Sequence, residues 1–285
     1  MIIGLLEGDE AGTRGSKTGA FATIFALIVL TELWARAIPV WATLDRELST
    51  VLPIGSVLAL TALFAPTRRA GFAGLAAMFV WLLWYEFPSS GNHAYLELIL
   101  CCLLAFLDLR DDPQRLALLR SVRWLLCVIF FYSGVQKIAH GYFFDGQYLA
   151  YALSEESWRT ALGPFLPVEE ARRLAQFTGE VGDGPYRVAS PLVVAASNAV
   201  YVAEIALAAA LLWHRTRAMA ACAAVAFVIL IEIAARELFF GLVTINSLLL
   251  FFRSDLNRRL VLPIAGLLAL LILNRLGVGP AVVFY

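Results

Sequence analysis

Long apolar runs broken by short polar or charged punctuation make up most of this chain. The runs fall at 20–41, 50–65, 70–87, 94–109, 120–139, 190–213, 217–235, 238–252 and 259–275. A bilayer core about 30 Å thick takes about 20 mostly apolar residues per helix, so the pattern predicts an all-α, polytopic membrane bundle of about nine transmembrane segments. Two runs are short: 50–65, which ends before Pro66, and 238–252, which contains Gly241. Segments of that kind can tilt or re-enter the membrane, which sets the expected count at about nine, give or take one. The bundle is expected over residues 20–276, between a cytoplasmic N-terminal segment 1–19 and a tail 277–285. Glu7, Asp9, Glu10, Arg14 and Lys17 precede the first run and no small-residue cleavage site follows it. Residues 20–41 therefore read as a retained helix and not as a signal peptide.

Composition supports the membrane class. Of 285 residues, 61% are hydrophobic and 15% charged, against about 45–50% and about 25% for soluble domains. Disordered chains are poor in apolar residues, which excludes that class. Twenty-two basic side chains balance twenty-two acidic ones, so net charge gives no reason to expect a nucleic-acid partner. Cys101, Cys102, Cys127 and Cys222 lie in apolar runs with no CxxC and no flanking His, and no metal site is expected.

Loop charge supplies an orientation. With the N-terminus inside and nine crossings, thirteen Lys/Arg fall inside and seven outside, four of those seven in one long loop. Every short loop then obeys the positive-inside rule. Asp112-Pro113 reads as a helix N-cap followed by a first-turn proline, leading into the span that begins near Arg120. The long outer loop, 141–187, reads as a cap of interfacial helices, with a helix start at Pro167, Glu169 and Glu170 and a turn-rich stretch from Gly179 to Pro185. Its tyrosines, phenylalanines and Trp158 suit a headgroup region.

Ionisable side chains inside spans cost about 2.5–3.5 kcal/mol each at the helix centre and mark functional positions by default. This chain carries Glu32, Arg36, Glu86, His93, Glu97, Lys137, His140, Glu204, Glu232, Arg236 and Glu237. In the topology above all but Glu97 and Glu204 lie near the outer ends of their spans, so several helices direct polar groups toward one outward-facing pocket. Blander readings stand beside this one. Glu32/Arg36 and Glu232/Arg236 are i,i+4 pairs that can simply neutralise each other. Glu86 and His140 suit a solvated interface, and Glu204 suits a bond to a neighbouring helix. Lys137 either snorkels or is enclosed beside the small face of Ser133 and Gly134. Enclosure in an apolar site would leave a neutral amine, a competent general base.

Three segments carry a resemblance. Asn92-His93-Ala94-Tyr95-Leu96 is followed by Leu103-Leu104-Ala105-Phe106; Ser133-Gly134-Val135-Gln136-Lys137 is followed by Asp145-Gly146; and Pro164-Phe165 with Glu169-Glu170 precedes Glu237-Leu238-Phe239 and Gly241. Together they resemble the vitamin K-dependent gamma-carboxylase family and the related bacterial horizontally transferred transmembrane (HTTM) domain proteins, over roughly residues 20–255. The resemblance implies a bacterial cytoplasmic-membrane location and an outward-facing site. It makes Lys137 the base and His93 its partner, acting on a reduced isoprenoid quinone with oxygen and carbon dioxide. Asn92, Tyr95, Gly134, Glu32, Glu86, Glu232, Arg236 and Glu237 are then candidates for the substrate pocket. This chain departs from the family in three ways: it ends at Tyr285 without the large lumenal domain, it has Gln136 where the family has a first lysine, and it has Glu232-Ile233-Ala234-Ala235 where the family has His-Cys-Met-Asn. Two other functions compete. One is isoprenoid (terpene) cyclisation by a carboxylic acid kept neutral by burial, with Glu232, Glu237, Glu32 or Glu86 as the acid. The other is a non-catalytic maturation or redox-partner component working with a neighbouring membrane or secreted protein.

Overall fold

Each of the nine apolar runs contains helix in the computed structural model, which describes residues 14–43, 46–87, 92–153, 156–174, 176, 188, 190–235, 237–252 and 256–275. Among these residues there is no strand. The order is α1 (Arg14–Thr43), α2 (Arg46–Leu63), α3 (Arg68–Tyr85), α4 (Asn92–Phe106), α5 (Asp112–His140), α6 (Gln147–Ala152), α7 (Glu156–Leu162), α8 (Val168–Leu174), α9 (Pro191–Leu212), α10 (Arg217–Ala235), α11 (Leu238–Leu248) and α12 (Leu256–Arg275). Single 3-10 turns at Gly163–Phe165 and Leu249–Phe251 extend α7 and α11. Five stretches are long and apolar enough to cross a membrane: Lys17–Arg36, Asp112–His140, Pro191–Leu212, Arg217–Ala235 and Leu256–Leu273. Thr50–Leu63, His93–Phe106 and Leu238–Phe251 are apolar but shorter. The helix start read at Asp112-Pro113 is found. Helix α5 begins at Asp112, with that acid in its first turn, and runs 29 residues, about 43 Å at 1.5 Å per residue.

The chain divides into two compact units, and the division falls within α5 between Trp124 and Leu125. In the unit made of 7–124 and 239–284, α1 is the core element. Its Phe21, Ile24, Phe25 and Ile28 are fully buried at helical spacing, and Phe25 stacks on Phe72 of α3 at 5.8 Å. Helix α1 packs on α2 and α12, α2 on α3, and α3 on α4. Gly71 permits the α2–α3 approach, since a Cβ there would lie 2.6 Å from the Ala62 nitrogen and 2.8 Å from the Leu58 carbonyl.

Two cations read in the sequence as loop charges are buried here. Lys17 and Arg123 have exposures of 0% and 1%. Lys17 donates to the Phe252 carbonyl, Arg123 donates to the Leu250 carbonyl at 3.0 Å, and the Arg123 guanidinium lies over the Phe251 ring. The last carbonyls of a helix have no intrahelical donors and carry partial negative charge. Both cations therefore cap the end of α11, and their weight in the charge-based topology belongs to packing instead.

The other unit, 125–238, holds the long loop and α9–α10. Gly141 takes φ +74° and its N–H bonds the Lys137 carbonyl at 3.1 Å, a left-handed cap that ends α5 where a Cβ would be strained. The expected cap of short helices is present as α6–α8, with α8 starting just after Pro167. Leu149, Leu153, Leu166, Leu174, Val188 and Val193 form its own small core, against which Trp158 packs. The stretch Gly179–Pro185 lies outside the described residues.

Candidate functional site

The polar residues of the spans gather into separate groups. The larger is built on two i,i+4 pairs, Glu32/Arg36 on α1 and His93/Glu97 on α4, each placing two side chains on one helix face. Arg36 is the hub. Its Nε donates to Glu32 Oε1 at 3.0 Å, its Nη1 to Glu86 Oε1 at 3.0 Å, and its Nη2 meets His93 Nε2 at 3.1 Å. His93 Nε2 also lies 3.6 Å from Glu32 Oε1. Glu86 is brought in by the end of α3, where its N–H bonds the Leu82 carbonyl at 2.9 Å.

Burial across this group is graded. The side chains of Arg36, Glu86 and His93 are 30%, 28% and 25% exposed, while that of Glu32 is 4% exposed. Glu97 is completely buried and, among the described residues, neither of its carboxyl oxygens meets a donor. An arginine is always a donor, so the 3.1 Å contact is a hydrogen bond to His93 in the tautomer whose Nε2 carries the lone pair. Protonation would turn Nε2 into a donor facing Glu32. One ring nitrogen thus stands between a fixed cation and a carboxylate, positioned to take up or release a proton.

Lys137 has a different setting from the one its sequence implies. The sequence offers either a snorkelling amine or an apolar enclosure; the structure gives the amine a carboxylate. Nζ lies 2.8 and 2.9 Å from the two oxygens of Glu204 on α9 and 2.6 Å from Ser133 Oγ, which itself bonds Glu204 at 3.1 Å. The amine is thus engaged by three oxygens, two of them on the neighbouring helix. Gly134 makes this pairing possible, because its Cβ position lies 2.9 Å from the Tyr201 carbonyl and 2.7 Å from Ile205 Cγ1. Of the two blander readings of Glu204 and Lys137, the bond between helices is therefore the one found.

His93 and Lys137 belong to different units. Tyr95 is exposed on α4, and Asn92 opens that helix with its side chain outside the described residues. Glu232 lies on α10 with both carboxyl oxygens buried and no hydrogen-bond partner among the described residues. Arg236 falls outside the described residues, and Glu237 beside it is exposed. His140 is exposed and stacks on Tyr142 at 5.8 Å. The four cysteines are free thiols, and among the described residues no group of three His, Cys, Asp or Glu is arranged to hold a metal ion.

Glu97 stands in the sequence among the ionisable span residues but not among the catalytic or pocket candidates. Its signal was its spacing, one helical turn beyond His93 on an apolar helix. Comparison with family models, with curated proteins and with solved structures gave no match to this chain.

Proposed function

We propose that the protein is an integral membrane enzyme that moves protons to and from a lipophilic, isoprenoid-type substrate at the Arg36–Glu86–His93 group. The observation that carries this reading is the gradient of burial: half-buried Arg36, Glu86 and His93 stand over a closed floor of Glu32 and Glu97. A partly exposed imidazole backed by a dry carboxylate is suited to general acid–base work. In proton-driven cyclisation a protonated His93 gives its proton to an alkene carbon, a second double bond closes the ring on the resulting cation, and the now neutral imidazole takes a proton back from that cation. The product is an isomer of the substrate, and no oxidant or reductant is consumed. Arg36 and Glu86 hold the imidazole in place.

The quinol reading has less support. The Lys137 amine is already bonded to Glu204 and Ser133, so it is not a free base. The residues around it do not fit a reduced quinone awaiting deprotonation, and no step is drawn through one. The resemblance to the carboxylase and HTTM proteins belongs to this proposal as a fold-level analogy. So does the topology of nine crossings in a bacterial cytoplasmic membrane. Its support is that an alternating path puts Arg36, Glu86 and His93 at the same membrane face, and these three residues do meet.

The test uses purified protein in lipid nanodiscs, incubated without oxygen with an isoprenoid-lipid extract. The expected result is a new lipid of unchanged mass and altered retention, formed about 100-fold or more slowly by His93→Ala, the usual scale of acid–base catalysis. Full activity in His93→Ala, with activity lost in a stably folded Lys137→Ala protein, would overturn the assignment.

A further inference from the structure

All three nitrogens of the Arg36 guanidinium are already engaged. Nε donates to Glu32 Oε1 at 3.0 Å, Nη1 to Glu86 Oε1 at 3.0 Å, and Nη2 meets His93 Nε2 at 3.1 Å and Glu32 Oε1 at 2.8 Å. One cation thus serves two carboxylates. The charge of the group is negative with a neutral His93 and zero with a protonated one, and Glu97 cannot raise it in either state. An anionic head such as a phosphate would lose hydration at this half-buried site and find no surplus cation to replace it. Neutral hydrogen bonding is what the group has left to offer. Glu86 bonds Arg36 through Oε1, and its Oε2 meets no donor among the described residues. His93 bonds through Nε2. In the tautomer that accepts from Arg36 its Nδ1 is an N–H, with no acceptor among the described residues. Arg36 therefore holds one open acceptor and one open donor on neighbouring nitrogens of a single guanidinium.

The surroundings narrow the kind of molecule that reaches them. Trp34, Trp84 and Tyr95 are 37%, 85% and 44% exposed. They lie two residues from Arg36, Glu86 and His93 respectively, about 3 Å along each helix axis. Tryptophan and tyrosine collect where a bilayer meets water, which puts the polar group at headgroup depth. A molecule with its polar end at that boundary and an apolar chain in the bilayer fits such a position. We propose that the group is the docking point for a lipid alcohol: Glu86 Oε2 accepts the hydroxyl hydrogen, and His93 Nδ1 donates to the hydroxyl oxygen. A hydroxyl both donates and accepts. An ammonium only donates and leaves His93 unanswered, and a phosphate brings its charge against Glu86. The proposal names the substrate class of the site and so rests on the function proposed above, although binding itself needs no turnover.

Full-length protein in nanodiscs, titrated with geranylgeraniol, geranylgeranylamine and geranylgeranyl diphosphate and read by native mass spectrometry, tests the docking point. The chain is the same in all three, so the ranking reports the polar end alone. The alcohol is expected to bind about tenfold more tightly than either of the others, the effect of a hydrogen-bonding group left unanswered in a half-dry site. Tightest binding of the diphosphate or of the amine, or binding of none of the three, would overturn the proposal. Glu86→Gln removes a negative charge and is expected to narrow the gap between alcohol and diphosphate by about tenfold. An unchanged gap in a folded Glu86→Gln protein would overturn the role of Glu86. The wild-type ranking decides the proposal even where that variant fails to fold. Alcohol bound tightly but never converted would refute the enzyme reading and leave the docking point standing, whereas conversion of the diphosphate alone would refute the docking point and leave the enzyme reading.

Discussion

Removing the Lys137 amine strands a carboxylate. Glu204 is 5% exposed, and its donors are Lys137 and Ser133. Interhelical hydrogen bonds in membranes are worth about 0.6–2 kcal/mol, and an orphaned buried charge costs about 3–5 kcal/mol. Because the Lys137 side chain is 21% exposed and Ser133 still donates to Glu204, the cost falls below that range, and Lys137→Ala is expected to cost about 2 kcal/mol. The double variant Lys137→Met/Glu204→Met is expected to recover most of it, as read by thermal unfolding in detergent. A catalytic lysine with no structural role would give a stable Lys137→Ala and no recovery. At this scale the sequence marks where charges are costly without revealing their partners. Lys137 is visible as an anomaly in an apolar run, but Glu204 lies 67 residues away, and no local spacing connects them. The Glu32/Arg36 and His93/Glu97 pairs are legible because each lies within one helical turn.

Helix α5 meets α9 at Gly134, where the backbone of Tyr201 occupies the space a side chain would need. Gly134→Leu therefore forces the helices apart and lengthens the Lys137–Glu204 contact. Overpacking of this kind costs about 1–3 kcal/mol. Gly134→Leu is also expected to abolish the coupling measured between Lys137 and Glu204 in a double-mutant cycle, and a retained coupling energy would show that α9 does not have to move. Gly71 makes the parallel case for α2 and α3. With the Ala62 nitrogen and Leu58 carbonyl under 3.0 Å from its Cβ position, Gly71→Leu is expected to destabilise by a similar amount in the same unfolding assay, whereas Gly163→Ala, which meets nothing within 4 Å, is not. The runs of apolar residues make the helices themselves legible. The start of α5 is legible too, since Asp112-Pro113 marks it, and the helix continues through Arg115, Arg120 and Arg123 because helix formation tolerates charges that hydropathy does not. Burial of Arg123 against α11 was beyond reach for the same reason as Glu204, since its carbonyl partner lies 127 residues away.

At the scale of the molecule, five helical stretches have the length and apolarity to cross a membrane, and the remaining apolar helices pack beside them within their own units. In the proposed topology, an alternating up-and-down path over α1–α4 would bring residues as distant as Glu32 and Glu86, which Arg36 joins, to one membrane face. Cysteine accessibility tests that path: single cysteines placed at Thr67 and at Arg110, on a background lacking the native cysteines, are expected to label from the cytoplasmic side only. Labelling from opposite sides would break the alternation that the proposed topology needs. The central claim is narrower, that the Arg36–Glu86–His93 group and not Lys137 receives the lipophilic substrate. A cryo-EM density map of the protein in nanodiscs of native lipid addresses it most directly. The account predicts an elongated lipid-like density ending at His93 and Glu86, with the Lys137–Glu204 pair closed; a density ending at the Lys137 amine, with Glu204 turned away, would contradict it.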